Sequence, residues 1–206
     1  MAKKSKTKQR IFTIVFMFLV SSFFVGIVSF VYLATKEAVL RNESLFLKRS
    51  VLYTAQITVP DSPVEVEKLF LERVEVKEDS AGEPIFYDVK KEDGQVMKVL
   101  VSRGQGLWGE IVGHVGLSGD LKNIEGLDFV KHSETPGLGA RITEDWFKEQ
   151  FRGKKGPLKR VPEGTKSDKL DEFDAITGAT VTTKAVESMI NETIKDAPEI
   201  IKKGGL

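Results

Sequence analysis

Cysteine is absent from all 206 residues, and only two histidines, His114 and His132, are present. Disulfides, cysteine-bound zinc and cysteine-ligated iron–sulfur clusters are therefore excluded within this chain. Two histidines are also a poor basis for a histidine-rich metal site or a bis-histidine haem, and no metal ligand set is assigned. Any redox chemistry has to come from a bound organic group or from a neighbour's centre. Charge of one sign is missing as well. The 31 basic and 30 acidic residues leave a net charge of +1, so no broad basic field points to nucleic acid. No internal repeat is visible.

What the chain does have is a long apolar run. From Ile11 to Thr35 there is no charged residue. Roughly 20 apolar residues suffice to cross a bilayer core, so this run is long enough. A cleaved signal peptide normally has an apolar core of only ~7–15 residues and a small-x-small cleavage site, whereas Tyr32-Leu33-Ala34 is a poor one. The run therefore reads as a retained anchor. Lys3, Lys4, Lys6, Lys8 and Arg10 precede it without an acid among them, while Lys36, Glu37, Arg41 and Glu43 behind it are mixed. The positive-inside rule then puts the N-terminus in the cytoplasm of a bacterial cell and the rest outside the inner membrane. Four segments result: a basic cytoplasmic N-terminus (1–10), a transmembrane helix (11–35), a membrane-proximal helical segment (36–75) and one extracytoplasmic domain (76–206).

Within the polar part, apolar spacing predicts helices over Lys36–Ala55 and Val64–Val74. Glu78 to Pro84 reads as a loop. Four strands are expected, Ile85–Val89 and Val96–Val101 around Asp93-Gly94, then Gly109–Leu117 and Ile124–Val130 around Ser118-Gly119-Asp120. Helices over Ile142–Phe151 and Lys184–Lys195 flank a basic connection, Arg152–Lys169. The expected fold class is α+β, an antiparallel sheet flanked by helices.

Two segments carry the chemistry. Asp174-Ala175-Ile176-Thr177-Gly178-Ala179-Thr180 stands just before the helix expected at Lys184. On local chemistry it is a turn whose helix Thr182 or Thr183 would cap. It is also a place where a phosphate would meet a helix N-terminus beside an open Thr180 hydroxyl, with Lys184 as an electrostatic partner or a solvated helix residue. The second segment, His132-Ser133-Glu134-Thr135-Pro136-Gly137-Leu138-Gly139-Ala140, cannot be regular structure. Pro136 fixes φ, and the glycines allow close approach to a planar group or simply a tight loop. Gly104-Gln105-Gly106-Leu107-Trp108-Gly109 lacks the strand–helix context of a dinucleotide fold. Trp108 and Leu138 are candidates for stacking on a planar ring, with a place in the core as the alternative for Trp108.

In order along the chain, the N-terminal anchor, Gly-Leu-Trp-Gly, Glu-Thr-Pro-Gly-Leu-Gly and Asp-x-x-Thr-Gly-Ala-Thr resemble the RnfG/NqrC family, the FMN-bearing small subunits of two related membrane complexes. RnfG belongs to the Rnf ferredoxin:NAD oxidoreductase and NqrC to the sodium-translocating NADH:quinone reductase. The resemblance implies an FMN-binding domain over 76–206, with FMN held covalently through a phosphoester to Thr180. It implies that Asp174, Thr177, Gly178 and Ala179 belong to the segment read by a flavin transferase. It also implies that Glu134, Thr135, Gly137, Leu138 and Gly139 line the flavin. The implied activity is electron transfer between redox centres of flavin- and iron–sulfur-bearing partner subunits during ion translocation, with no catalytic residue in this chain alone. The uncharged single span forms no ion path by itself. Gly-Ala-Arg after the loop and the short length favour the Rnf type, and Gly-Leu-Trp favours the quinone-reductase type. A reading of another class, an anchored ectodomain that binds a ligand without redox chemistry, would use His132, Glu134 and the glycine loops as a recognition surface.

Overall fold

The computed structural model describes residues 2–204. Met1, Gly205 and Leu206 lie outside the described residues, as do the side chains of Lys3 and Lys4 in the basic flank. The chain divides into two compact units, Met1–Ser44 and Leu45–Leu206. The first is the greater part of helix α1 (Ala2–Thr54), the one described helix long and apolar enough to cross a membrane. Its apolar side chains, Phe12, Phe18, Val28 and Phe30 among them, are exposed all round, as expected of a helix whose solvent is lipid.

The second unit begins with the last turns of α1, followed by α2 (Pro63–Arg73). A five-stranded antiparallel sheet comes next, in the order β1 (Val74–Glu78), β2 (Pro84–Lys90), β3 (Val96–Gln105), β4 (Glu110–Leu117) and β5 (Ile124–Lys131). A 3-10 turn (Gly139–Thr143), α3 (Asp145–Glu149), a two-stranded parallel pair β6 (Lys159–Val161) and β7 (Glu172–Asp174), and the closing helix α4 (Thr180–Gly204) complete it. The class is α+β, as the strand and helix patterns imply, with a sheet of five strands rather than four. The additional strand is β1, whose start at Val74 takes the last residue of the expected second helix. The compact unit also takes in residues 45–75, which the expected boundary at 76 sets apart from the domain.

Both faces of the sheet are buried. Phe86, Leu100, Ile111, Val115, Leu127 and Phe129 on one face pack with Phe147, Phe151 and Phe173 and with Val186, Met189 and Ile190 of α4. On the other face Tyr87, Val89, Met97 and Val99 meet Val51 of α1, Ala55 just behind it and Phe70 of α2. Alternate residues of β2 and β3 go to opposite cores, as the pleat requires. α1 lies so close to the sheet that a Cβ on Gly126 would overlap the Thr54 carbonyl. The expected helix over Ile142–Phe151 is broken in two at Glu144, whose extended backbone (ψ 143°) separates the 3-10 turn from α3. The expected Lys184–Lys195 helix runs longer at both ends.

Candidate cofactor site

Strand β7 delivers the chain into the motif. Ile176 and Ala179 point into the core at 1% and 6% exposure, while Thr177, Gly178 and Thr180 face outward. Gly178 has φ +80°, a conformation that side chains disfavour, and it reverses the chain into α4. Thr183 closes the turn from inside: its Oγ1 accepts the Ile176 N–H (3.2 Å) and donates to the Ala179 carbonyl (3.0 Å). Neither Thr182 nor Thr183 caps a helix starting at Lys184. Both are buried within the first turn of α4, which begins at Thr180. Thr180 therefore stands at the end of a 25-residue helix where backbone N–H groups lack intrahelical acceptors. Lys184 is exposed one turn further on, the spacing that puts it on the same helix face.

The glycine-rich loop folds around Glu134, which is only 5% exposed. Its Oε1 accepts the backbone N–H groups of Leu107 (2.9 Å) and Trp108 (3.2 Å), and its Oε2 accepts the Thr182 hydroxyl (2.5 Å). One carboxylate thus ties together 106–109, 133–139 and the start of α4. Gly139 is squeezed against this hub: a Cβ there would lie 2.6 Å from both Glu134 Oε2 and Thr182 Oγ1. The Trp108 indole N–H donates to Thr135 Oγ1 (3.1 Å), and the Leu138 side chain reaches to 3.0 Å from where a Cβ on Gly178 would stand. Trp108 is 68% exposed, so it does not belong to the core. With Leu107, Leu138 and Val181, all more than 40% exposed, it leaves an apolar rim beside Thr180. Thr135 and Gly137 are exposed at the loop's tip. His132 is half-buried and its Nδ1 accepts the Glu134 N–H at 3.3 Å.

A second carboxylate, to which no sequence motif points, supports the 174–180 segment from outside. Glu163 Oε2 accepts the Thr177 N–H (2.6 Å), and the Arg141 guanidinium grips the same group at 2.7 and 3.3 Å. The Arg141 hydrogen bond, then the Thr177 N–H, hold the Glu163 carboxyl down at about 2. Asp174 is 8% exposed, and its oxygens accept the N–H groups of Gly164 and Lys166. No periodicity links Arg141 and Glu163 to the motif. Only Glu163-Gly164, a carboxylate beside a turn glycine, offers a hint.

The arrangement fits a flavin mononucleotide in its parts. It provides an exposed hydroxyl at a helix N-terminus, an apolar rim for a planar ring, and glycines where the backbone is crowded. Comparison with known proteins agrees. The protein-family model for the FMN-binding domain matches residues 106–195. NqrC of Neisseria meningitidis, from the Na(+)-translocating NADH-quinone reductase, is 37% identical over 108 residues, covering 49% of this chain and 42% of that protein. RnfG of Acetobacterium woodii, from the Na(+)-translocating ferredoxin:NAD(+) oxidoreductase complex, is 38% identical over 110 residues, 52% of each. The chain thus spans about half the length of these curated relatives. The crystal structure of NqrC from Parabacteroides distasonis superposes with a TM-score of 0.68 at 25% identity, covering 80% of this chain and 96% of that one. Residues 106–195, which include the Glu134 cradle and Thr180, thus match the FMN-binding domain, and the chain is similar to the NqrC subunits of NADH-quinone reductases and the RnfG subunits of ferredoxin:NAD(+) oxidoreductases.

Proposed function

We propose that this chain is an electron-transfer subunit of a membrane-bound, ion-translocating oxidoreductase of the Rnf type, with FMN joined to Thr180 by a phosphoester. The observation that carries the reading is the position of Thr180, exposed as the first residue of α4 and flanked by the apolar rim. A phosphate on Thr180 Oγ meets the helix dipole and free N–H groups, worth roughly 0.3–1 kcal/mol at an exposed terminus. Attachment exchanges the hydroxyl proton for the phosphoryl group of an activated flavin nucleotide, whose leaving group keeps the electron pair, and a flavin transferase is the partner for that maturation. A covalent bond also keeps the cofactor from dilution outside the cytoplasm, since its local concentration no longer depends on free FMN.

When bound, FMN supplies one- and two-electron chemistry that no side chain here can supply. The chain's own residues orient it. Leu138 and Trp108 offer stacking surfaces and Thr135 holds the indole. Asp174, Thr177, Gly178 and Ala179 shape the attachment turn, Gly137 and Gly139 let the loop approach, and Lys184 adds a positive charge one turn from the phosphate. Glu134 accepts three donors and so holds the loop, the 106–109 turn and α4 together. The partners are membrane subunits bearing flavins and iron–sulfur clusters, and the domain lies outside the cytoplasm on a single-pass anchor.

The test is in-gel flavin fluorescence after denaturation. Wild-type protein co-expressed with a flavin transferase should fluoresce, and Thr180→Val should not; fluorescence persisting in the variant defeats the assignment. A second reading, an NqrC of the quinone reductase, is favoured by Gly106-Leu107-Trp108 and by the structural likeness to the Parabacteroides protein over nearly its whole length. The partner subunits that co-purify with the tagged chain distinguish the two.

A further inference from the structure

Asp174 opens the attachment motif, and the family resemblance casts it as a residue that the transferase reads. In the folded chain its side chain is committed elsewhere. Oδ2 accepts the Gly164 N–H at 2.8 Å, and Oδ1 accepts the Lys166 N–H at 3.0 Å. Its backbone is fixed by a reciprocal pair with the Gln150 amide, N–H to Oε1 at 2.7 Å and Nε2 to the carbonyl at 3.1 Å. The loop it holds is not a relaxed one, because Lys166 sits at φ +48°, where a side chain is disfavoured. Two N–H donors converging on one carboxylate are what keep it there.

The same loop carries Glu163, and Glu163 reaches the motif from the other side to accept the Thr177 N–H at 2.6 Å. Arg141 braces Glu163 with two guanidinium contacts and itself lies 5.2 Å over the Trp146 ring. Arg141 comes two residues after Gly139, so the brace joins the glycine-rich loop to the attachment turn. Thr177 immediately precedes Gly178, whose positive φ aims Thr180 outward. Asp174, the 162–166 loop, Glu163 and the Thr177 amide form one continuous line of contacts.

We infer that Asp174 is a positioning residue: it holds the 162–166 loop so that Glu163, braced by Arg141, locks the Thr177–Gly178 turn in the shape that presents Thr180. The face left for a modifying enzyme to read is then Thr177, Gly178, Thr180 and Val181. This inference rests on Thr180 being the attachment point.

The experiment uses the full chain in detergent with a purified flavin transferase and its flavin nucleotide. Glu163→Ala leaves every residue of the motif in place, yet should slow flavin attachment about tenfold, as should Asp174→Ala. The double variant should be no slower than either, because both remove one device. Glu163→Gln, which keeps an acceptor for the Thr177 N–H, should restore most of the rate. A second readout needs no flavin. In a Thr180→Val background, hydrogen exchange at the Thr177 amide should speed up in Asp174→Ala and Glu163→Ala but not in Glu163→Gln, with the Met189 and Ile190 amides of α4 still protected. Wild-type labelling rates in Glu163→Ala beside a slow Asp174→Ala would show that Asp174 is read directly and overturn the inference. So would additive losses in the double variant, or unchanged Thr177 exchange. If Asp174→Ala unfolds, loss of α4 protection reports it and Glu163→Ala carries the decision. If wild type takes up no flavin, the Thr180 reading fails, and Thr177 exchange still decides whether Asp174 holds the turn.

Discussion

His114 is a titratable side chain sealed into the core, 1% exposed in β4, with Nδ1 2.9 Å from Ser50 Oγ and its ring edge-on to Tyr87. Burial pushes its pKa down to about 4. The sign of the effect follows from proton counting. Above about pH 6.5 the ring is neutral in both folded and unfolded chains and contributes no pH dependence. Between pH 6.5 and 4 the unfolded chain binds a proton that the folded chain refuses, so stability falls as pH falls, by about 1.4 kcal/mol per unit at most. The full window is worth on the order of 3 kcal/mol. Replacing His114 with Asn should flatten the stability profile between pH 4 and 6.5. Urea midpoints across that range check it, and an unchanged slope would mean that the ring is solvated. Glu163, held near 2, stays ionised in the folded chain over the whole window, so its grip on Thr177 is insensitive to mild acid.

At the scale of elements, the docking of α1 on the sheet is the contact least tolerant of added volume. Gly126 in β5 has no room for a Cβ, since one would lie 2.9 Å from the Thr54 carbonyl carbon and closer still to its oxygen. Gly126→Val should therefore lift the end of α1 and cost about 1–3 kcal/mol, the range for overpacked cores. A domain of this size loses about 2–4 °C per kcal/mol, so a drop in Tm of roughly 2–12 °C is expected in calorimetry. An unchanged Tm would refute the close approach. The central hairpins are legible in the sequence because Asp93-Gly94 and Ser118-Gly119-Asp120 are turn chemistry between apolar runs. β1 is not, because Val74-Glu75-Val76-Lys77-Glu78 is a charged edge strand with one neighbour, β2. The three-residue strands β6 and β7 are too short to impose a period. The site is legible to the same extent: its two motifs are local in sequence. Arg141, Gln150 and Glu163 reach their partners across 14 to 24 residues, by contacts that leave no local pattern.

At the scale of the whole molecule, the missing cysteines become an experimental asset. Any cysteine introduced is the only thiol in the chain, so labelling reports on one position without background. Placement of the domain outside the cytoplasm rests on the basic flank before Ile11 and the mixed charges after Thr35. Ser188 is exposed on α4, and Ser5 belongs to the basic flank. In right-side-out membrane vesicles a membrane-impermeant maleimide should label Ser188→Cys at once and Ser5→Cys only after permeabilisation. The reverse pattern would put Thr180 in the cytoplasm, where free FMN is plentiful, and remove the argument that a covalent bond is needed to retain the cofactor. Labelling of both positions without permeabilisation would show that the run from Ile11 to Thr35 does not cross the bilayer. The expected pattern places a tethered flavin at the outer face, within reach only of centres that the partner subunits present there. Two single-cysteine variants of a cysteine-free chain thus decide which side of the membrane the electron path must visit.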